Sequence, residues 1–103
     1  MEIFEMTKTF PKEETYILTS QIRRSSRSVC SCIGEAYKKR KYPNHFISKL
    51  SDAAMENSET QEWLDVALGC DYISTEKFEI LDEQCEEIAK LLTYMMNNPA
   101  KFS

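Results

Sequence analysis

Residues 75–97 read TEKFEILDEQCEEIAKLLTYMMN, and this stretch decides the fold class. Phe78, Leu81, Cys85, Ile88, Leu92 and Met95 step by three, four, three, four and three residues. Such spacing returns to one side of a helix turn after turn and makes a heptad seam. Ser74 stands at the N-cap position and Glu76 falls in the first turn, where the helix dipole favours a negative charge. A helix is therefore expected over Thr75–Asn97, and its seam needs other helices to cover it.

Moving toward the N-terminus, Gly69 through Ser74 reads as a turn. A long helix precedes it, with Asn44 as N-cap and Gly69 near its end. Its apolar face is Phe46, Ile47, Leu50, Ala54, Leu64, Ala67 and Leu68, and its middle, Glu56-Asn57-Ser58-Glu59-Thr60-Gln61-Glu62, is unusually polar. Lys41-Tyr42-Pro43-Asn44 separates it from a helix over about Glu14–Arg40. On that helix Leu18, Ile22, Ser25, Val29, Ile33 and Ala36 share a stripe, with Arg23, Arg24, Arg27, Lys38 and Lys41 roughly opposite. At 1.5 Å per residue it spans about 40 Å. Phe10-Pro11 breaks the chain before it, because the residue preceding proline avoids the helical region. A short first helix over Met1–Thr9 brings Ile3, Phe4 and Met6, and the tail from Asn98 to Ser103 is expected to fray.

Three long amphipathic helices and a short one, joined by short connections, predict an all-α fold. The expected form is an up-down antiparallel four-helix bundle with a short first helix, residues 1–103 making one domain. The first helix is too short to cover the others, and Trp63 and Val66 lie off the main stripe of the third. Oligomerisation covers such surface.

Composition narrows the function classes. Two glycines and three prolines are too few for an all-β chain of tight turns. Residues 1–5 are not a basic segment leading into an apolar one, so no secretory signal is visible, and no apolar run is long enough to cross a bilayer. Cys30, Cys32, Cys70 and Cys85 are then expected as free thiols in a cytoplasmic protein. The formal net charge is −4, yet the charges segregate. Between Gln21 and Lys41 stand Arg23, Arg24, Arg27, Lys38, Lys39, Arg40 and Lys41 against Glu35 alone. From Ser51 to Ala100 twelve acids face Lys77 and Lys90.

Several segments in order carry a resemblance: Thr9-Phe10-Pro11-Lys12-Glu13-Glu14, Leu18-Thr19-Ser20-Gln21-Ile22-Arg23-Arg24, Cys32-Ile33-Gly34-Glu35-Ala36-Tyr37, Phe46-Ile47-Ser48-Lys49-Leu50, Ser58-Glu59-Thr60 with Trp63-Leu64, and Asp71-Tyr72-Ile73. The chain resembles the bacterial four-helix-bundle proteins of the ribosomal-protein-S23-like group, encoded in intervening sequences of 23S ribosomal RNA genes and elsewhere. The resemblance implies a homopentamer. Related proteins are accessory subunits of diversity-generating retroelements, in which a basic pentamer engages nucleic acid and a reverse transcriptase. The chain departs from the pattern in its shorter first helix, in Cys30 and Cys32 where Pro and Asn are common, and in Ala36 where Gly is frequent.

The basic face of the second helix is the candidate nucleic-acid-binding site: Arg23, Arg24, Arg27, Lys38, Lys39, Arg40 and Lys41. Such cations bind phosphates regardless of sequence by releasing counterions. Tyr37 and Tyr42 flank the Lys38–Lys41 run and are placed to stack on unpaired bases. The plainer reading is that these charges are solvated, complete the helix dipole, or pair with acidic helices. For the arginines, pairing with Glu35, Glu59 or Glu62 within or between subunits is the expected role.

No metal or other cofactor is expected. Cys30 and Cys32, two apart on a helix, point about 200° away from each other. The Glu-x-x-His pairs of bundle di-iron sites are missing, since Tyr42 stands three before His45, the only histidine. No catalytic constellation surrounds His45, and two glycines cannot build a phosphate-cradling loop. The expectation is a non-enzymatic, homo-oligomeric scaffold that binds structured RNA or another nucleic acid. The alternative is a protein-interaction module whose basic and acidic faces pair between subunits or with a protein partner.

Overall fold

The computed structural model describes residues 2–103. Helix α1 spans Glu2–Thr7, α2 Ser20–Lys38, α3 Pro43–Gly69 and α4 Thr75–Asn97, with no strand among the described residues. The Met1 end of the expected first helix lies outside the described residues. Its other end comes at Thr7 rather than Thr9. There the Thr7 hydroxyl donates to the Phe4 carbonyl at 2.9 Å and the Thr9 hydroxyl to that of Met6 at 2.8 Å. Such bonds compete with the backbone ladder.

The second helix departs from expectation at both ends. Pro11 is extended and offers no side-chain cap, and the chain winds through a 3₁₀ turn at Lys12–Glu14 and a π turn at Thr15–Thr19 before regular geometry begins at Ser20. At the far end α2 stops at Lys38, not Arg40. Lys39 N–H bonds back to Ala36 O at 2.9 Å, Arg40 N–H to Tyr37 O at 3.2 Å and Tyr42 N–H to Lys39 O at 2.8 Å, which folds residues 39–42 into a tight turn. The N-cap of α3 is Tyr42, not Asn44. Pro43 explains both: it occupies the first helical position, where its missing N–H costs nothing, and holds Tyr42 extended.

The α3–α4 connection is a Schellman turn. Tyr72 N–H bonds to Ala67 O at 2.9 Å and Asp71 N–H to Leu68 O at 3.0 Å, with Asp71 in the left-handed region at φ 60°. Gly69 is thus the last helical residue and not the turn's hinge. Ser74 caps α4 as expected, its Oγ accepting Lys77 N–H at 3.0 Å.

α3 is the central helix, packed on one side by α2 and on the other by α4, so the long helices run up, down and up in a body of 44 × 24 × 18 Å. Its buried residues are Phe46, Leu50, Ala53, Asn57, Thr60, Leu64 and Ala67. They alternate by four and three, a seam concealed in the sequence by its polar centre. Asn57 Nδ2 donates to the Cys85 carbonyl at 2.8 Å, and the Thr60 hydroxyl to Ser25 Oγ at 2.8 Å. These bonds satisfy groups that would otherwise be costly to bury. The polar layer divides the apolar core in two. One cluster holds Phe10, Leu18, Ile22, Leu64 and Leu81, the other Ala36, Phe46, Leu50, Ala53 and Leu92.

Beyond α1, a groove of about 210 Å³ lies open between α2 and α4, lined by Val29, Cys30, Leu81, Cys85 and Ile88, with Ile3 at its end. This is the surface that a short first helix fails to cover. The tail is not frayed over its length: Pro99–Phe102 form a 3₁₀ turn, and Phe102 packs 5.9 Å from the Phe46 ring and edge-on to Tyr94 at 6.2 Å.

Candidate nucleic-acid interface

The expected basic face divides into two groups at opposite ends of α2. Arg24 and Lys38 lie fourteen residues apart, about 21 Å along the axis. The exposed face between them carries Cys30, Ser31 and Gly34.

In the first group two arginines are engaged inside the chain. Arg23 Nε donates to Thr7 Oγ1 at 2.7 Å, and its guanidinium lies 4.4 Å from the centre of the Phe4 ring. It fastens α1 to α2. Arg24 reaches α3, with Nη2 2.7 Å from Glu59 Oε1 and Nη1 3.2 Å from Glu56 Oε2. The Glu59 bond is the main cause of a raised Arg24 pKa, and in turn it holds the Glu59 carboxyl below its ordinary value. Arg27 is exposed, 5.7 Å from the Phe4 ring. Glu59 is a partner that the sequence suggested. Glu35, also expected to meet an arginine, pairs instead with Lys49 Nζ at 2.7 Å. Glu56 was missed, although it sits one turn before Glu59 on the same edge of α3.

The second group closes α2. Lys38 is the last helical residue, Lys39 its C-cap, and Arg40 and Lys41 lie in the turn, so Lys39 and Arg40 stand beyond the helix on which they were expected. Pro43 causes this, by turning the chain before a further helical turn can form. Lys38, Lys39 and Lys41 are exposed. Arg40 stacks 4.2 Å over the Tyr37 ring while Nη1 donates to Tyr37 O at 3.0 Å, satisfying a carbonyl at the helix end. Among the described residues no carboxylate comes within ion-pair distance of these four cations. Tyr37 and Tyr42 are 61% and 60% exposed on either side of them. Tyr42 meets His45 edge-on, the ring centroids 6.1 Å apart.

Among the described residues no three His, Cys, Asp or Glu side chains gather as metal ligands. The four thiols are unpaired, with Cys30 and Cys70 exposed and Cys85 buried. Burial pushes the Cys85 thiol up to about 11, which keeps it protonated and unreactive at neutral pH. Among the described residues no helix is long and apolar enough to cross a membrane.

The fold has a solved counterpart. The crystal structure of a protein of unknown function from the S23 ribosomal protein family of Bacteroides thetaiotaomicron superposes with a TM-score of 0.83 at 31% identity, covering 93% of this chain and 86% of that one. No curated protein matches the chain. The family model for the 23S rRNA-intervening sequence protein matches residues 1–94, which take in α1 to α3, nearly all of α4 and every residue of both basic groups. That match, with the shared bundle, places the chain in the 23S rRNA-intervening sequence protein family.

Proposed function

We propose that the protein is a non-enzymatic, homo-oligomeric helical scaffold that binds nucleic acid, structured RNA foremost, through the cationic turn Lys38–Lys41. The observation that carries this reading is the concentration, at the end of α2, of four cations with no carboxylate partner among the described residues, in a chain whose net charge is −4. Solvated cations left without carboxylate partners attract phosphates and release their counterions. Arg27 adds to the same field from farther down α2, whereas Arg23 and Arg24 serve the fold.

Oligomerisation is supported by apolar side chains left on the surface. Met55 is 70% exposed, Ile17 62% and Leu91 54%, and the groove between α2 and α4 stands open. Five copies is the number that the family resemblance implies.

A second reading is a protein-interaction module, with a reverse transcriptase as the partner that the resemblance suggests. It draws on Arg24, which shows that basic and acidic helix faces of this chain can pair. One variant separates the readings. Lys38, Lys39 and Lys41 are reversed to Glu, Arg24 is left intact, and both light-scattering mass and RNA binding are measured. Lost RNA binding with an unchanged oligomer supports the nucleic-acid scaffold. Dissociation with RNA affinity unchanged overturns it and favours the interaction module.

A further inference from the structure

We propose that the cationic turn recognises unpaired nucleotides, with base faces stacking on Tyr37 and Tyr42 while the lysines hold the adjoining phosphates. The inference rests on the nucleic-acid reading above and names the class of ligand.

Two large aromatic rings are left mostly in water beside four cations that lack carboxylate partners among the described residues. A tyrosine serving only to pack would bury its ring, as Phe46 does in the same end of the bundle. Both rings are also held on firm supports. Tyr37 lies in the last turn of α2, its carbonyl accepting both Arg40 N–H and Arg40 Nη1, and the Arg40 guanidinium lies over its ring at 4.2 Å. That cation covers one face and leaves the other for a base, completing an arginine–tyrosine–base stack. Tyr42 is the N-cap of α3, with its N–H bonded to Lys39 O and its carbonyl accepting Phe46 N–H at 2.9 Å. The lysines lie between the two rings in sequence, so phosphates and bases of one strand meet their partners along one short turn. A duplex keeps its base faces stacked inside and offers this turn only phosphates. A stack accepts any base, because every base has a π-face. It also does not read the sugar, so unpaired RNA and unpaired DNA satisfy the same chemistry.

Fluorescence anisotropy tests this with the full-length protein. The probes are a labelled single-stranded RNA, the DNA strand of the same sequence, the fully paired RNA duplex, and an abasic strand of equal length. Each is measured with the wild type and with Y37A/Y42A, Y37F/Y42F and the triple lysine reversal. Single strands of RNA and DNA are expected to bind alike, and roughly tenfold or more tighter than the duplex or the abasic strand. Y37A/Y42A should remove that preference, bringing single-strand affinity to that of the duplex, and Y37F/Y42F should restore it. Circular dichroism confirms that each variant folds. Equal affinity for single strand, duplex and abasic strand, all lost on lysine reversal, overturns the stacking proposal and leaves the phosphate reading intact. A preference that survives Y37A/Y42A, or one confined to RNA, also overturns it. No binding of any probe overturns both.

Discussion

Asp71 adopts φ 60°, a conformation that favours glycine, because the Schellman turn needs a left-handed residue two places after Gly69. Replacing it with glycine removes that strain. Asp71→Gly is expected to raise stability by about 0.5–1 kcal/mol, seen as an upward shift of the thermal midpoint. Arg24 allows a pH test. Its bond holds the Glu59 carboxyl below the ordinary 4.5, so the pair stabilises the fold above that pH and loses its contribution as pH falls below it. Both side chains are partly exposed, at 46% and 33%, so the pair is worth at most about 1 kcal/mol. Arg24→Ala should therefore lower the melting temperature at neutral pH, and by progressively less in acid below pH 4.5. An equal deficit at both would show that Arg24 acts through packing.

At the scale of elements, the seam of α4 was legible because its positions are all apolar. Leu81, Cys85 and Leu92 are buried with Ser74 at the cap, as the spacing requires. The seam of α3 was legible only at its ends. Asn57 and Thr60 occupy core positions, and a hydrophobic count passes over them. Only the four–three rhythm of Phe46, Leu50, Ala53, Leu64 and Ala67, continued through the gap, points to them. Asn57→Ala leaves the Cys85 carbonyl without its partner in the core. A loss of about 1–3 kcal/mol in denaturant unfolding is expected. Pro43 told correctly that a helix ends there, but the ends themselves shifted: Tyr42 took the cap expected of Asn44, and Lys39 and Arg40 moved off α2. The tail was misread because its one aromatic, Phe102, has no periodic partners in sequence. It finds Phe46 and Tyr94 only once the chain is folded.

For the whole molecule, the bundle follows from the order of long amphipathic helices, and the open groove between α2 and α4 from the shortness of α1. The candidate site was only half legible. Charge segregation marked the right stretch of chain, but which cations remain available depends on contacts between elements that no spacing reveals. Thr7, Phe4, Glu56 and Glu59 engage Arg23 and Arg24, while the turn residues find no such partners among the described residues. Gly34 belongs to this scale as well. It is exposed in the middle of α2, and a Cβ there would meet nothing within 4 Å, so Gly34→Ala should stabilise an isolated chain by about 0.5–1 kcal/mol. If melting instead becomes less stable and the oligomer weakens, a neighbouring subunit approaches α2 at that point.

The most direct test of the central claim is the salt dependence of RNA binding. Affinities of the wild type and of a Lys38→Gln, Lys39→Gln, Lys41→Gln variant are measured by anisotropy over a range of salt. Each phosphate neutralised adds roughly 0.7 to 0.9 to the steepness of the log–log plot. The account predicts that the variant binds more weakly and that its slope is shallower by about two units or more. Equal slopes and equal affinities would contradict it and leave the Lys38–Lys41 turn as a solvated helix end.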